Sequence, residues 1–561
     1  MTDGGPAGRA PAADPVEEPA ESAAQDPGSL ARASGTMAVG TLFSRGTGFL
    51  RVAAIGAAIG ARQAGDAYNI ANVLPNIVYE LLLGGVLTSV VVPLLVSAAR
   101  RDPDGGQAYT QRLLTLVGLL LGLTSVVAVL AAPLLIGLYG HLAGEQREAA
   151  VTFARFFLPQ IFFYGVGATI GAVLNTRGRF AAPMWAPVLN NLVVLATVAV
   201  YFTLPRTRPG ELLSTAQTLT LALGTTAGIV VQTVALLPSL RASGFRWRPR
   251  FDFRGTGLGA AGRLAGWVLL YVVVNQLGYL VVVRLATAAG RAAGASAAAG
   301  YSPYFYAFTI FSLPHAVVAV SVITALLPRM SRQAGDGRRD ALGAELSSGL
   351  RLAAVVLVPA AVAYVVLGPL VGTAVFNHGR VGIADARQIG LVLAAFAVGL
   401  VPFSAFQLQL RAFYALQDTR TPALVNIVVN AVMVAVDLVL YVVLPADDRV
   451  IGLALGYAAS YAVGFGLTNA VLRRRLAGRR DEHVLRTHVR LLAAAVVAAA
   501  PTYAAAHLTG RVAGTGAAGS TVALAVALVV GTACYVLVAR RLRVPELTAL
   551  AASLPMRRRR A

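Results

Sequence analysis

The chain has 561 residues, of which 57% are hydrophobic and 13% charged, and its formal net charge is +22. A mean hydropathy of +0.69 excludes an ordinary soluble protein, because a water-exposed surface of this size needs far more polar residues. The chain has no lysine, so all 47 basic residues are arginine. Its one cysteine, Cys534, excludes a disulfide framework and a cysteine-based metal site.

Apolar segments of roughly 18 to 25 residues recur along the chain, which is the length of helix that crosses the hydrocarbon core of a bilayer. The segments are continuously apolar and do not alternate, which favours helices over the strands of a membrane β-barrel. We therefore predict an all-α polytopic membrane protein with about fourteen transmembrane helices. The predicted spans are approximately 35–60, 68–97, 110–138, 149–173, 182–204, 215–240, 258–288, 296–327, 350–375, 388–410, 421–444, 450–472, 490–508 and 516–539.

The positions of the arginines predict the orientation of these spans. With the N-terminus in the cytoplasm, 34 arginines fall on the cytoplasmic side, nine on the opposite side and four within spans. This alternation is the positive-inside pattern of membrane proteins. We therefore predict that both termini are cytoplasmic, and we expect no nucleic-acid partner, because topology accounts for the basic charge.

A weak internal repeat of about 240 residues relates Leu74-Pro75-Asn76 to Leu313-Pro314-His315. It predicts two parallel six-helix bundles around a central cavity, with two extra helices at the C-terminus, as in alternating-access carriers. The predicted parts are a disordered cytoplasmic tail at 1–33, the first bundle at 34–240, a cytoplasmic Arg-rich loop at 241–257, the second bundle at 258–472, a cytoplasmic loop at 473–489, the two extra helices at 490–540 and a basic cytoplasmic tail at 541–561.

Four arginines fall inside the predicted spans, and ionisable groups in lipid are costly and are functional by default. Arg155 and Arg284 lie near the ends of their spans, where snorkelling toward the interface explains them. Arg45 and Arg51 lie deep in the first span and are candidate ligands of an anion. Glu80 of the second span lies at a similar depth, so we predict that it balances one of these two arginines.

One face of the second span is polar. Asn69, Asn72, Asn76 and Glu80 are separated by three and four residues, so they share one face of a helix. A polar face in a membrane turns toward protein or water, so these residues either line a cavity or form a polar seam between helices. Weaker stripes, such as the one that includes Thr309, favour a hydrated central cavity.

The most specific motif is the block that runs from Arg411 to Pro422. Further motifs are Ser44-Arg45 with Gly48 and Arg51, Gly65-Asp66-Ala-Tyr68, Leu74-Pro75-Asn76 with Pro93, Gly171-Ala-Val-Leu-Asn175, Ala186-Pro187 with Asn190, and Leu313-Pro314. Over approximately residues 37–540, the chain resembles the lipid II flippase family (MurJ/MviN) of the multidrug/oligosaccharidyl-lipid/polysaccharide exporter superfamily.

This resemblance implies a bacterial plasma-membrane protein that moves undecaprenyl-pyrophosphate-linked disaccharide pentapeptide to the outer leaflet by alternating access. Membrane lipids are implied partners, and cell-wall synthesis proteins are candidate partners. The candidate cavity residues are Arg45, Arg51, Asp66, Asn72, Asn76, Glu80 and Thr309. No resident cofactor is expected, but coupling to Na⁺, H⁺ or the membrane potential is implied.

Asp418 and Asp437 are the candidate cation contacts, although Asp418 is better interpreted as ordering a cytoplasmic loop. The chain departs from the family pattern after Leu-Pro-Asn, where Tyr79 and Glu80 replace basic residues, and at Thr309, which replaces an arginine. A flippase for another polyprenyl-linked glycan, a drug/cation antiporter and a non-transporting scaffold for cell-wall synthesis therefore remain alternatives. The sequence contains no catalytic constellation, so we do not expect an enzyme.

Overall fold

The computed structural model describes residues 27–80, 95, 104, 106–205, 211–252, 258–294, 298–476 and 481–547. Every regular element within these ranges is a helix. The described residues contain eleven helical segments that are long and apolar enough to cross a membrane, and a bent helix pair brings the number to twelve. Some of these segments consist of two successive helices, as the bounds below show. The all-α membrane fold is therefore confirmed, whereas the predicted number of fourteen spans is not.

The first half of the chain contributes helices α1 to α9. Their bounds are α1 Pro27–Ile59, α2 Gln63–Glu80, α3 Gln107–Leu130, α4 Ala132–Tyr139, α5 Gly144–Phe157, α6 Gln160–Thr176, α7 Ala181–Thr203, α8 Thr215–Val234 and α9 Leu237–Ala242. Because α1 begins at Pro27, the end of the predicted disordered tail at residue 33 is wrong. The rest of that tail, residues 1–26, lies outside the described residues.

The second half contributes helices α10 to α19. Their bounds are α10 Leu258–Ala293, α11 Tyr301–Pro314, α12 Val320–Gly335, α13 Arg339–Phe376, α14 Ile383–Ala397, α15 Leu400–Ala415, α16 Arg420–Val443, α17 Arg449–Arg475, α18 Asp481–Ala513 and α19 Ala517–Arg541. A π-helical turn, His315–Ala319, joins α11 to α12. Most of the predicted basic tail at 541–561 lies outside the described residues.

The helices of the two halves pack in matching pairs. In the first half α1 packs on α7, α7 on α8 and α2 on α5, and in the second half α10 packs on α16, α16 on α17 and α11 on α14. This repeated pairing is what two bundles of parallel topology require. Helices α18 and α19 pack on each other and on α13, so the C-terminal pair is attached to the outside of the second bundle.

One span in each bundle is broken near its middle. Helices α5 and α6 are separated at Leu158-Pro159, where proline lacks the backbone N–H that a continuous helix needs. Helices α14 and α15 meet at Val398-Gly399 with a bend of 50°. Gly399 packs closely against the backbone of Ala458, so a side chain at this bend would clash. The breaks occupy corresponding places in the two halves of the chain.

Candidate functional site

A cavity of about 420 Å³ lies between the two bundles. Helices α2, α10, α11, α16 and α17 supply most of its wall. Its polar lining residues are Asn76, Glu80, Asn275, Gln276, Tyr279, Tyr301, Tyr304, Asn430, Tyr457 and Tyr461. Among the described residues that line it there is no arginine, so the wall presents amides and phenols, which suit the hydroxyl and amide groups of a polar ligand.

The polar stripe of α2 divides between a seam and the cavity wall. Asn69 is buried and donates a hydrogen bond of 2.9 Å to Ser302 Oγ of the second bundle. The half-buried Asn72 accepts a hydrogen bond of 2.8 Å at its backbone oxygen from Asn76 Nδ2. Asn76 and Glu80 line the cavity. The stripe is therefore a polar seam between helices at Asn69 and part of the cavity wall at Asn76 and Glu80.

Glu80 has a different partner from the one predicted. It accepts a hydrogen bond of 2.7 Å from Gln276 Nε2 of α10, a residue 196 positions away in the chain. Within the described residues it forms no ion pair with Arg45 or Arg51, so the predicted charge pairing is wrong. The separation explains the error, because nothing local in the sequence indicates which side chain of a distant helix faces Glu80.

Two arginines from different helices lie near His315, beside the cavity. Arg45 of α1 and Arg411 of α15 both act electrostatically on His315. The His315 ring packs on Phe403, which lines the cavity, with ring centroids 4.6 Å apart. His315 Nδ1 lies 3.0 Å from Ser404 Oγ. We call Arg45, His315 and Arg411 the cationic cluster, in which the two arginines carry the positive charge.

The guanidinium groups near the bundle interior lack counter-ions. The Nε atoms of Arg51 and Arg411 are buried and have no hydrogen-bond partner among the described residues. Arg45 is exposed and likewise has no acidic partner there. Arg51 acts electrostatically on Tyr68 of its own bundle. Because unpaired guanidinium groups inside a membrane protein are costly, this arrangement is suited to an anionic ligand.

Sequence reasoning missed Arg411 and His315 as site residues. The predicted tenth span ended at residue 410, which placed Arg411 in the cytoplasmic loop, whereas α15 continues to Ala415. His315 carried a usable signal, because it occupies the position in the repeat that corresponds to Asn76 in the first half.

Two further predicted cavity residues lie elsewhere. Asp66 is buried, and its Oδ1 accepts a hydrogen bond of 2.6 Å from the backbone N–H of Ser302, so it caps the start of α11. Thr309 is half-buried and donates its hydroxyl to the backbone oxygen of Phe305, one turn earlier on the same helix. Neither residue lines the central cavity in this conformation.

The two candidate cation contacts differ in their surroundings. Asp437 is fully buried on α16, both of its carboxylate oxygens lack a hydrogen-bond partner among the described residues, and it packs directly on Gly456 of α17. Asp418 accepts hydrogen bonds from Thr421 and forms an ion pair with Arg475 Nη1 at 2.5 Å. Asp418 therefore caps α16, whereas Asp437 retains its full capacity to bind a cation or a proton.

Hydrogen bonds between the bundles are concentrated at one end of the molecule, which we call the seal. Arg62 donates two hydrogen bonds of 3.0 Å to the carboxylate of Asp385. Further contacts of the seal include Tyr306 Oη to the backbone oxygen of Gly60 at 3.1 Å, the backbone N–H of Arg380 to the oxygen of Ala57 at 2.8 Å, and the Asp66 and Asn69 bonds to Ser302. The seal closes the cavity at the end of α1.

A family model described as lipid II flippase MurJ matches residues 55–527. The chain belongs to the lipid II flippase MurJ family. A lipid II flippase MurJ of Burkholderia cenocepacia is 28% identical over 480 residues, which cover 84% of this chain and 89% of that relative. A probable lipid II flippase MurJ of Rhizobium meliloti is 27% identical over 488 residues, with coverage of 85% and 87%.

Solved structures share the fold. A lipid II flippase MurJ in an inward closed conformation has a TM-score of 0.72 and 18% identity, covering 90% of this chain and 98% of that one. A multidrug resistance MATE family transporter of the MOP superfamily, in an inward-facing conformation, has a TM-score of 0.60 and 17% identity, covering 78% and 95%. MurJ is a transporter family of the bacterial inner membrane rather than an enzyme family, so the protein is a bacterial membrane protein of the transporter type.

Proposed function

We propose that the protein moves lipid II, a polyprenyl-pyrophosphate-linked glycan, from the inner to the outer leaflet by alternating access of its two bundles. The observation that carries this proposal is the set of arginines that have no counter-ion among the described residues, namely Arg51 and the two arginines of the cationic cluster, Arg45 and Arg411. A pyrophosphate is the complementary ligand, because guanidinium groups bind phosphate oxygens with their paired donors.

The geometry supports separate binding places for the different parts of the substrate. The pyrophosphate binds the cationic cluster, and the glycan and peptide contact the amides and phenols of the cavity wall, including Asn76, Asn275 and Asn430. The polyprenyl tail stays in the bilayer and reaches the cavity through a gap between the bundles. No covalent step is needed, so the protein acts as a carrier and not as an enzyme.

The arginine pattern supports the orientation that this cycle requires. With both termini in the cytoplasm, the seal of Arg62 and Asp385 lies on the outer side of the membrane, and Arg45 and Arg411 lie toward the cytoplasmic side. The conformation is then closed outside, as a state that loads substrate from the inner leaflet must be.

We further propose that a cation or proton gradient resets the carrier at Asp437. A buried carboxylate without a hydrogen-bond donor is unfavourable unless it binds a cation or a proton, and Asp437 is such a group within the described residues. Asp418 is a weaker candidate, because Thr421 and Arg475 already satisfy it. The described residues contain no cluster of three or more metal-ligating side chains. We therefore propose that the coupling cation or proton contacts the single carboxylate of Asp437, and we propose no permanently bound metal ion.

Neutral substitutions of the three arginines test the proposal. In a strain whose own lipid II flippase can be switched off, Arg45→Gln, Arg51→Gln and Arg411→Gln are each expected to lower lipid II exposure on the outer leaflet roughly tenfold or more, because each removes a charged hydrogen-bond donor. Arg291→Gln, at the end of α10 and away from the cavity, is the matched control and should retain exposure. Size-exclusion chromatography verifies folding.

The same experiment separates the alternatives. Growth rescue without lipid II exposure favours a flippase for another polyprenyl-linked glycan, which shares the phosphate chemistry, and full activity of the three arginine variants contradicts the proposal. A scaffold should tolerate all three substitutions. A drug/cation antiporter should depend on an acid in the cavity wall, where Glu80 is the only acid among the described lining residues.

A further inference from the structure

A second cavity, of about 550 Å³, lies between α13, α14, α18 and α19. It adjoins the C-terminal half of α13, at the opposite end of that helix from Arg339. In the proposed orientation this end lies in the outer leaflet. The five helices that supply most of the central cavity wall contribute no residue here, so the two cavities are separate.

The wall of this second cavity has a basic part and an apolar part. Arg387 of α14 and His507 and Arg511 of α18 form the basic part, which we call the outer basic site. Val366 and Leu370 of α13 belong to the apolar part. A surface that places cationic groups beside an apolar wall has the polarity of a phospholipid, with its phosphate above its acyl chains.

The outer basic site has no counter-ion within the described residues. None of the described residues that line the cavity is acidic. Arg387 and Arg511 make no hydrogen bond or ion pair there, and His507 stacks on Tyr503 with ring centroids 6.0 Å apart and an angle of 6°. Two arginines that share a cavity wall without an anion repel each other, so an anionic ligand would relieve this repulsion.

The start of α19 adds to this positive potential. The helix begins at Ala517, and its N-cap residue Gly516 supplies no side-chain hydrogen bond to the first turn. Thr515 and Ser520, on either side of this start, both line the cavity. The N–H groups of a helix start attract phosphate groups, and this helix start lies at the cavity that Arg387, His507 and Arg511 also line.

We propose that the outer basic site binds the phosphate of an anionic phospholipid of the outer leaflet, with an acyl chain along the apolar part. The placement in the outer leaflet depends on the orientation in the proposed function. The neighbouring surface of α18 is apolar and exposed, with Leu508 at 62% and Val512 at 90%, as expected of a face in contact with lipid. The phospholipid bridges α13 and α14 to α18 and α19 and so holds the C-terminal pair against the second bundle.

Lipid retention by the full-length protein in detergent tests this proposal. Native mass spectrometry should show phosphatidylglycerol bound to the wild type and at least tenfold less bound to the double variant Arg387→Gln/Arg511→Gln. Added phosphatidylglycerol should raise the thermal unfolding temperature of the wild type but not of the double variant, and the neutral phosphatidylethanolamine should raise neither. Arg291→Gln, another arginine of the outer side, should behave as the wild type does.

Two outcomes would overturn the proposal. One is equal retention of phosphatidylglycerol by the wild type and the double variant. The other is selective retention of polyprenyl pyrophosphate over phosphatidylglycerol, which would assign the site to the transported lipid. If the double variant does not fold, each single variant is measured, with a partial loss expected. Lipid II exposure is recorded in parallel, so loss of phospholipid with intact exposure leaves the proposed function standing.

Discussion

Asp437 and Asp418 belong to the same part of the fold but have opposite environments. Asp437 is enclosed in α16 against Gly456, with no donor for either oxygen among the described residues. Asp418 lies just before α16 with donors from Thr421 and Arg475. A carboxylate in the first environment has a strong tendency to acquire a positive partner, whereas one in the second is already satisfied.

We predict that Asp437→Asn uncouples transport without unfolding the protein, because the amide keeps the shape of the side chain and removes its charge. Lipid II exposure in cells or vesicles should lose its dependence on an imposed ion gradient or membrane potential, while the thermal unfolding temperature stays within a few degrees of the wild type. If the Asp437→Asn variant responds to the gradient as the wild type does, Asp437 is excluded as the coupling group.

The turn between α15 and α16 shows how one element supports the next. Gln417 has a positive φ of 57°, which is uncommon for a residue with a side chain. Asp418 stabilises this turn, because its N–H donates to the oxygen of Phe413 and its carboxylate accepts hydrogen bonds from Thr421. Burial alone would raise the pKa of Asp418, but the bonds from Thr421 and the charge of Arg475 outweigh it and lower the pKa below its usual value.

This lowered pKa predicts the sign of a pH effect. The folded-state pKa of Asp418 lies below its unfolded value, so the carboxylate contributes stability above about pH 4 and loses it as the pH falls through the folded-state pKa. Amide hydrogen exchange of residues 416–421, corrected for intrinsic rates, should be faster in Asp418→Asn than in the wild type at pH 7. This difference should disappear at acid pH, and a difference that is constant with pH would contradict the assignment.

The helices were more predictable than the contacts between them. Continuous apolar runs and the Leu-Pro motifs at Leu74 and Leu313 predicted the helical bundles, because both signals are local and depend on burial in lipid. The site of Arg411 was missed because span ends are set by packing and capping rather than by hydropathy alone. The hydrogen bond between Gln276 and Glu80 was missed because the sequence shows which residues share one face of a helix, but it does not show which other helix packs against that face.

At the scale of the whole molecule, the two bundles meet through polar bonds at one end and around a cavity at the other. The Arg62–Asp385 ion pair is the most polar contact of the seal, and the side chain of Arg62 is 45% exposed while that of Asp385 is 5% exposed. Partial exposure weakens an ion pair through solvent screening, so its contribution is at most about 1 kcal/mol.

Charge reversal tests whether this pair holds the outer side closed. In a Cys534→Ala background, a cysteine at the buried Ala61 should react with an external thiol reagent up to about fivefold faster when Arg62→Asp or Asp385→Arg is present, since the pair contributes about 1 kcal/mol. The double exchange Arg62→Asp/Asp385→Arg should recover part of the slow rate. Equal labelling rates in all four proteins would show that the pair does not hold the bundles together.

The modest strength of the Arg62–Asp385 pair has a kinetic consequence. A carrier must visit both of its conformations in every cycle, and reversing a 99:1 preference requires about 5.5 kcal/mol of differential binding. A dry, fully enclosed ion pair in place of Arg62–Asp385 would hold the substrate inside and lengthen each cycle. A half-hydrated pair adds little to the free-energy difference between the two conformations. Turnover should therefore quicken as ionic strength rises, until binding of the substrate at the cationic cluster becomes the slow step.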